Sequence, residues 1–531
     1  MGKFFQYAVV LLFTTLAASA QKTNSPNIIY IMSDDHTSQA FGIYKSRLAS
    51  LNPTPTLDKL ANEGIIFDNC FVTNSLCTPS RACIITGQYN QANGVLELDQ
   101  GLPGDKHYLP QEMKKAGYQT VMVGKWHLKE EPKAFDYYCV LPGQGKYFDP
   151  VFNIRGDKPW PQNIITREGH STDVITDVTL DWLKNKREKG KPFFIMHHYK
   201  APHDMFEFAP RYKDYLEKTF IPEPASLYYN ARNGSAGTRG ANDSLIHMIG
   251  ASVSHRDTSW GLGKKLGIDQ NIADPQYAHL VYQEYVKRYL RCVKGIDDNV
   301  SRLIEYLKKE NLLDNTIIIY TGDQGFMLGE HDYMDKRWMY EESMRMPFFI
   351  RYPKMIKQGT HSEAIINNTD FAPTLIELAG GKAPGYMQGH SFKQILATGK
   401  EPGNWQQSTY YRYWMHMGHN LGTPGHFGIR TKQYKLIFFY GRYWIDTEEE
   451  YKKIFPKSRW DKNFSIQTPA AWELYDLKND PEEMNNVYAD PAYKNIIDDL
   501  KKQLTKKRTE LNEGDEKYPH LQKIIDQHWN D

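Results

Sequence analysis

Three short apolar runs constrain this chain more than any other feature. Each is rich in β-branched or aromatic residues, and each ends against polar or charged side chains. Asn27-Ile28-Ile29-Tyr30-Ile31-Met32 lies between Pro26 and Ser33-Asp34-Asp35-His36. Pro192-Phe193-Phe194-Ile195-Met196 leads into His197-His198, and Thr316-Ile317-Ile318-Ile319-Tyr320-Thr321-Gly322 leads into Asp323-Gln324. Runs of this length without alternation read as strands buried on both faces. Further strands are expected at Ile65 to Val72, Gln119 to Gly124 and Pro347 to Arg351. Helical patterns fall between them, from Thr56 to Glu63, Thr172 to Lys186, Pro275 to Lys309 and Phe371 to Leu378. The alternation predicts an α/β fold, a large mostly parallel or mixed sheet sandwiched by helices, over residues 21–398. From Gly399 the texture changes to Tyr, Trp and His. Strand-like segments at Tyr434 to Phe439 and Trp472 to Leu477 and an amphipathic helix from Pro491 to Leu511 follow. A smaller C-terminal α+β subdomain with an antiparallel sheet is expected over 399–531. Residues 220–271, rich in Gly, Ser, Asn and Pro, read as an insertion over the active face.

The formal net charge of the 531 residues is +2, which leaves no bulk field to draw in a nucleic acid or a long polyanion. An acidic substrate would have to be recognised locally. Residues 1–20 combine Lys3, a short apolar core and Ala18-Ser19-Ala20, the pattern of a secretory signal peptide. No later segment resembles a membrane span, so an exported protein is expected. Asn-x-Ser/Thr sites such as Asn233, Asn242, Asn367 and Asn463 do not decide between a bacterial and a eukaryotic secretory route. The five cysteines include no C-x-x-C pair, which argues against structural zinc or a thioredoxin-like role. Pairing among Cys70, Cys83, Cys139 and Cys292 cannot be read from their spacing.

Ligands in open α/β sheets bind beyond the carboxyl ends of the strands. There Asp34, Asp35, Asp323 and Gln324 would offer only carboxylate and amide oxygens, a set suited to a hard cation such as Ca²⁺. Each acidic pair alone fits a solvated turn equally well. In Ser75-Leu76-Cys77-Thr78-Pro79-Ser80-Arg81, Pro79 favours a helical first turn, placing Cys77 where free N–H groups and the helix dipole attract an anion. A small buried cysteine beside a helix start is the plainer alternative.

Cys77-Thr78-Pro79-Ser80-Arg81 resembles the signature of the type I, formylglycine-dependent sulfatases of the alkaline phosphatase superfamily. Gly124-Lys125-Trp126-His127, Ala201-Pro202-His203 and Lys336 ahead of Tyr340-Glu341 match further family elements in the family's order. The resemblance implies that Cys77 is oxidised to formylglycine by a maturating enzyme. It also implies one Ca²⁺ held by Asp34, Asp35, Asp323 and Gln324 with the residue at 77. Gln324 stands where many relatives have Asn. Arg81, Lys125 and Lys336 would offset charge on a sulfate ester, His203 would protonate the leaving oxygen, and His127 would take the proton that expels sulfate from an enzyme sulfate ester. His197 and His198 match no catalytic position, and Arg337 is left unassigned. A bacterial carbohydrate sulfatase is implied, periplasmic and exo-acting on a mucin or glycosaminoglycan sugar, with N-acetylglucosamine 6-sulfate and galactose-type sulfates both open. A phosphate-ester hydrolase and a non-catalytic glycan-binding relative are the alternatives. Tyr411, Tyr413, Trp414, His416, His419 and His426 are the candidate sugar-facing cluster, or else subdomain core.

Overall fold

The structure, a computed structural model, describes residues 25–228, 234–239, 251–256, 260–456 and 465–531. Residues 1–20, read above as a signal peptide, and the Asn-x-Ser/Thr sites at Asn233, Asn242 and Asn463 lie outside them. Asn367, at another such site, is 1% exposed and accepts a hydrogen bond from the Thr369 N–H.

A ten-stranded mixed sheet runs in the order Thr360–Ser362, Ile65–Phe67, Phe348–Arg351, Thr316–Gly322, Asn27–Asp34, Phe193–Pro202, Gln119–Lys125, Tyr137–Leu141, Val151–Ile154, Ile164–Thr166. The five strands from Thr316–Gly322 to Tyr137–Leu141 are mutually parallel, and antiparallel pairings begin on either side of them. Residues 28–32 are wholly buried, as their unbroken apolar run requires. Ser33 pairs with Gly322 and Asp34 with Pro202, so three strand ends open onto one edge. Helices Ser171–Asp181 and Gln276–Lys309 pack together, and both contact the Phe193–Pro202 strand.

The expected strand from Ile65 to Val72 breaks in two. Ile65–Phe67 joins the main sheet, whereas Cys70–Phe71 pairs with Ile366–Asn367. The helix predicted to Lys186 closes in a π-helical turn at Trp182–Lys186. Beyond the expected C-terminal helix, here Lys494–Glu510, lies another at Pro519–His528. A separate four-stranded antiparallel sheet comprises Ser408–Tyr413, His426–Thr431, Tyr434–Phe439 and Ala471–Asp476. It is tied to the first by the Arg412 N–H on the Thr73 carbonyl, 2.9 Å, and the Ser75 N–H on the Tyr411 hydroxyl, 3.3 Å. All five cysteines are buried free thiols. No helix among the described residues is long and apolar enough to cross a membrane.

Candidate active site

The site is assembled where central strands end. Successive side chains on a strand face opposite sides. Asp34 and Asp35 escape that alternation because Asp35 adopts φ 64°, a left-handed conformation that Asp tolerates better than most residues. Asp34, Asp35 and Asp323 bring carboxylate oxygens within 4.8 Å of one another, and all three residues are fully buried. The Asp35 N–H donates to Asp323 Oδ1 at 3.0 Å, fixing one strand end on the next.

Cys77 is the first residue of the helix Cys77–Thr86, whose N-terminus has no side-chain cap. Its Sγ lies 3.2 Å from Asp34 Oδ1 and 3.6 Å from Gln324 Nε2. Burial pushes the thiol up to about 12, against the pull of Lys336, so at neutral pH it is an uncharged thiol. Arg81, one turn along, donates to Asp323 Oδ2 through Nε at 3.0 Å and Nη2 at 2.9 Å, and through Nη1 to the Lys125 carbonyl at 2.6 Å. Burial would raise Asp323, but Arg81 and Lys125 hold it below the usual carboxylate range. Asp35 moves the other way, because burial outweighs Lys336 and His203.

Lys125 pairs with Asp34 Oδ2 and donates to Gln144 Oε1 at 2.6 Å. Lys336 meets Asp35 Oδ2 at 2.6 Å. Gly124 precedes Lys125 at φ 95°, and a Cβ there would overlap the His198 carbonyl of the neighbouring strand, which explains the glycine in Gly-Lys-x-His. His127 is 5% exposed; burial, then Lys125 and Arg81, press it well below the ordinary imidazole range, leaving a neutral ring. His203 turns Nε2 to 3.7 Å from Asp35 Oδ2.

Of these groups Cys77, His203 and Lys336 line a cavity of about 220 Å³, with Gln144, Trp260 and Phe326 among its other walls, while Arg81, Lys125 and His127 lie behind that wall. Asp204, Asp335 and Arg337 line it too, and no motif in the sequence singled them out as site residues. Arg337 donates to Asp335 Oδ2 at 2.5 Å and to the Tyr413 hydroxyl at 3.1 Å. Described parts of the insertion reach the same wall: Ala251 and Trp260 line the cavity, and the Ala251 carbonyl accepts from the Met334 N–H at 2.8 Å. The aromatic cluster divides. Tyr411, Tyr413, Trp414, His416 and His426 are fully buried, and of the six only His419 lines the cavity. His197 bonds Thr179 on a buried face, whereas His198 lies 3.4 Å from Arg81 Nη1.

The residues present fit a cation. Three carboxylates converge, and Gln324 Oε1 is a buried acceptor with no hydrogen-bond partner, beside an amide nitrogen that faces Asp35. Which amide atom faces the acids is an assignment that rotation of the group reverses. An all-oxygen set suits a hard divalent ion.

The family profile described as Sulfatase matches residues 26–381, and one described as N-sulphoglucosamine sulphohydrolase, C-terminal, matches 329–455 and 456–510. An N-acetylglucosamine-6-O-sulfatase of Bacteroides thetaiotaomicron is 39% identical over 94% of this chain and 89% of its own length. An N-acetylglucosamine-6-sulfatase of Capra hircus is 26% identical over 77% of this chain and 70% of its own. A solved structure in complex with its substrate, D-glucosamine-2-N,6-O-disulfate, superposes with a TM-score of 0.79 at 36% identity, covering 92% of this chain and 99% of that one. With a profile match over residues 26–381 and 39% identity to a relative along nearly its whole length, this chain belongs to the sulfatase family of sulfuric ester hydrolases.

Proposed function

We propose that the protein removes O-sulfate from a sulfated glycan, acting on a terminal sugar of the N-acetylglucosamine 6-sulfate type, with formylglycine derived from Cys77 and one Ca²⁺. The observation that carries this reading is Cys77 at a helix N-terminus, 3.2 Å from Asp34 Oδ1 and on the wall of a small cavity. The sugar class rests on the 39% identical relative and on the disulfated glucosamine bound by the 36% identical structure. The cavity, about 220 Å³, is smaller than the roughly 300 Å³ at which pockets for drug-sized ligands begin, which favours one sugar ring and exo action.

Asp34, Asp35, Asp323 and Gln324, with the oxygen of the converted residue 77, would hold the cation. When bound, Ca²⁺ and the hydrated aldehyde supply charge neutralisation, an oxygen nucleophile and a second hydroxyl through which sulfate can leave without an attacking water. Lys336, on the cavity wall, faces the sulfuryl oxygens as a positive charge; Lys125, whose hold on its proton burial weakens, backs it through its pair with Asp34, and Arg81 locks Asp323 and the Lys125 carbonyl in register. His203 delivers a proton to the sugar oxygen, and neutral His127 accepts one as sulfate departs. Cys77 is 1% exposed, so the maturating enzyme must reach it before the chain closes. We assign the working compartment to the bacterial periplasm, on the strength of the signal-like residues 1–20.

Mass spectrometry of the peptide spanning residue 77, from cells competent for the modification, should show aldehyde in place of thiol. On a panel of sulfated monosaccharides, N-acetylglucosamine 6-sulfate should be cleaved ahead of galactose-type sulfates. An unmodified thiol, or faster turnover of aryl phosphate than of aryl sulfate, would overturn the assignment.

A further inference from the structure

His203 is the only one of His127, His198 and His203 whose ring is held by a carboxylate in an ion pair on the side away from the reaction. Asp204 Oδ1 lies 2.5 Å from His203 Nδ1, and the Asp204 carbonyl lies 3.0 Å from the same nitrogen. Two acceptors at one nitrogen require that Nδ1 carry a hydrogen. That leaves Nε2, 3.7 Å from Asp35 Oδ2, to face the cavity. The backbone is pinned as well, because the buried Tyr147 hydroxyl donates to the His203 carbonyl. By contrast, His198 Nδ1 meets the Lys125 carbonyl at 3.2 Å and the Arg81 guanidinium, a setting that offers no carboxylate.

We infer that Asp204 is a positioning residue for sulfate transfer: its carboxylate fixes the Nδ1–H orientation of His203 and aims the Nε2 hydrogen at the leaving sugar oxygen. The inference rests on the reading of His203 as the proton donor. As the S–O bond to the sugar breaks, the sulfuryl group passes to the oxygen of the converted residue 77, the electron pair stays on the sugar oxygen, and the Nε2 proton of a doubly protonated His203 follows. The Nδ1 hydrogen stays on the ring, shared with Asp204, and the histidine is left neutral. A sugar alkoxide leaves poorly without that proton, whereas a nitrophenolate leaves without it. The contribution of Asp204 should therefore depend on the leaving group, which a merely structural role would not do.

The test compares kcat and KM of the formylglycine-bearing enzyme and of Asp204→Asn and Asp204→Ala on N-acetylglucosamine 6-sulfate and on 4-nitrophenyl sulfate. Aldehyde content at residue 77 and melting temperature are checked for each variant. General acid catalysis contributes about 10²- to 10⁴-fold. Loss of Asp204 should lower kcat on the sugar about 10- to 100-fold more than on the aryl ester, with KM nearly constant, and His203→Ala should show the same asymmetry more strongly. Equal losses on both esters in the Asp204 variants, or a change confined to KM, would overturn the inference while leaving His203 as donor. If His203→Ala itself showed no asymmetry, the donor assignment would fall and this inference with it.

Discussion

Of the buried clusters of opposite charges among the described residues, two contrast most: the candidate site and a cluster beside the antiparallel sheet. Around Cys77, Asp34, Asp35 and Asp323 face Arg81, Lys125 and Lys336. In the second, near the antiparallel sheet, Lys435 lies 3.0 Å from Glu341 and 2.6 Å from Glu483, and Arg430 grips Glu341 through two bonds of 3.1 Å. Lys435 and Lys125 are both fully buried. What separates the clusters is geometry. The first holds three carboxylates within 4.8 Å, leaves Gln324 Oε1 unpartnered and borders a cavity at a helix N-terminus. The second knits the Glu341 segment to the strands His426–Thr431 and Tyr434–Phe439 and to Glu483. Burial and perturbed titration mark both, and Glu341 and Arg430 also line an open cleft, so the convergence of carboxylates beside Cys77 at a helix N-terminus is the better sign of chemistry.

Substitutions should pull the two clusters apart. The largest effect belongs to Cys77→Ala, which should lower kcat/KM on N-acetylglucosamine 6-sulfate by at least about 10⁴-fold, as removal of a nucleophile does, with little change in melting temperature. Next comes chelation. Dialysis against a chelator should abolish turnover and lower thermal stability, by about 2.7 kcal/mol where the ion had stood at 100 times its dissociation constant, and Ca²⁺ should restore both. Lys336→Met and Lys435→Met then form a matched pair. The first should cost about 10²- to 10³-fold in kcat by removing a fixed positive charge from the reacting centre. The second strands Glu341 and Glu483 and should cost about 3–5 kcal/mol in denaturant melts, while the protein that remains folded keeps its kcat. A fall in kcat from Lys435→Met would erase the distinction.

The last effect, on stability alone, concerns Glu97, a buried acid held by neutral donors, the Tyr443 hydroxyl and, at 3.2 Å, Trp444 Nε1. Burial raises it to about 7 from an ordinary 4.5, against those hydrogen bonds. The folded state therefore binds the proton more tightly than the unfolded chain. The stability this contributes is full below about 4.5 and is lost as pH rises through about 7, a change of order 3 kcal/mol. Glu97→Gln keeps an acceptor for both donors, and its melting temperature should fall less between pH 5 and pH 8 than that of the parent.

Much of the scaffold was legible in the order of residues. Unbroken apolar runs named the central strands, and the helix Phe371–Leu378 was read to its ends. The strands Tyr137–Leu141, Val151–Ile154 and Ile164–Thr166 escape the sequence reading, because strands of three to five residues carry too little pattern to stand out. The stretch from Ile65 to Val72 is interrupted by Asp68-Asn69, where its two strands part, but which sheet each half joins is not a local property. The aromatic segment after Ser408 was ambiguous for a related reason: rings that pack a core and rings that meet a sugar are the same residues.

The sequence alone determined which groups could do chemistry here, because strand ends and a helix start are local features and the residues at them are written in order. Only the tertiary structure decided which of those groups meet. Asp34 and Asp323 are 289 positions apart, and a parallel register brings them to one edge. Asp204 gains its place at His203 from how the chain turns after a strand, and Arg337 gains its place from the strand that carries Tyr413. Contacts of that kind depend on packing between distant elements, and a linear pattern of side chains does not encode packing.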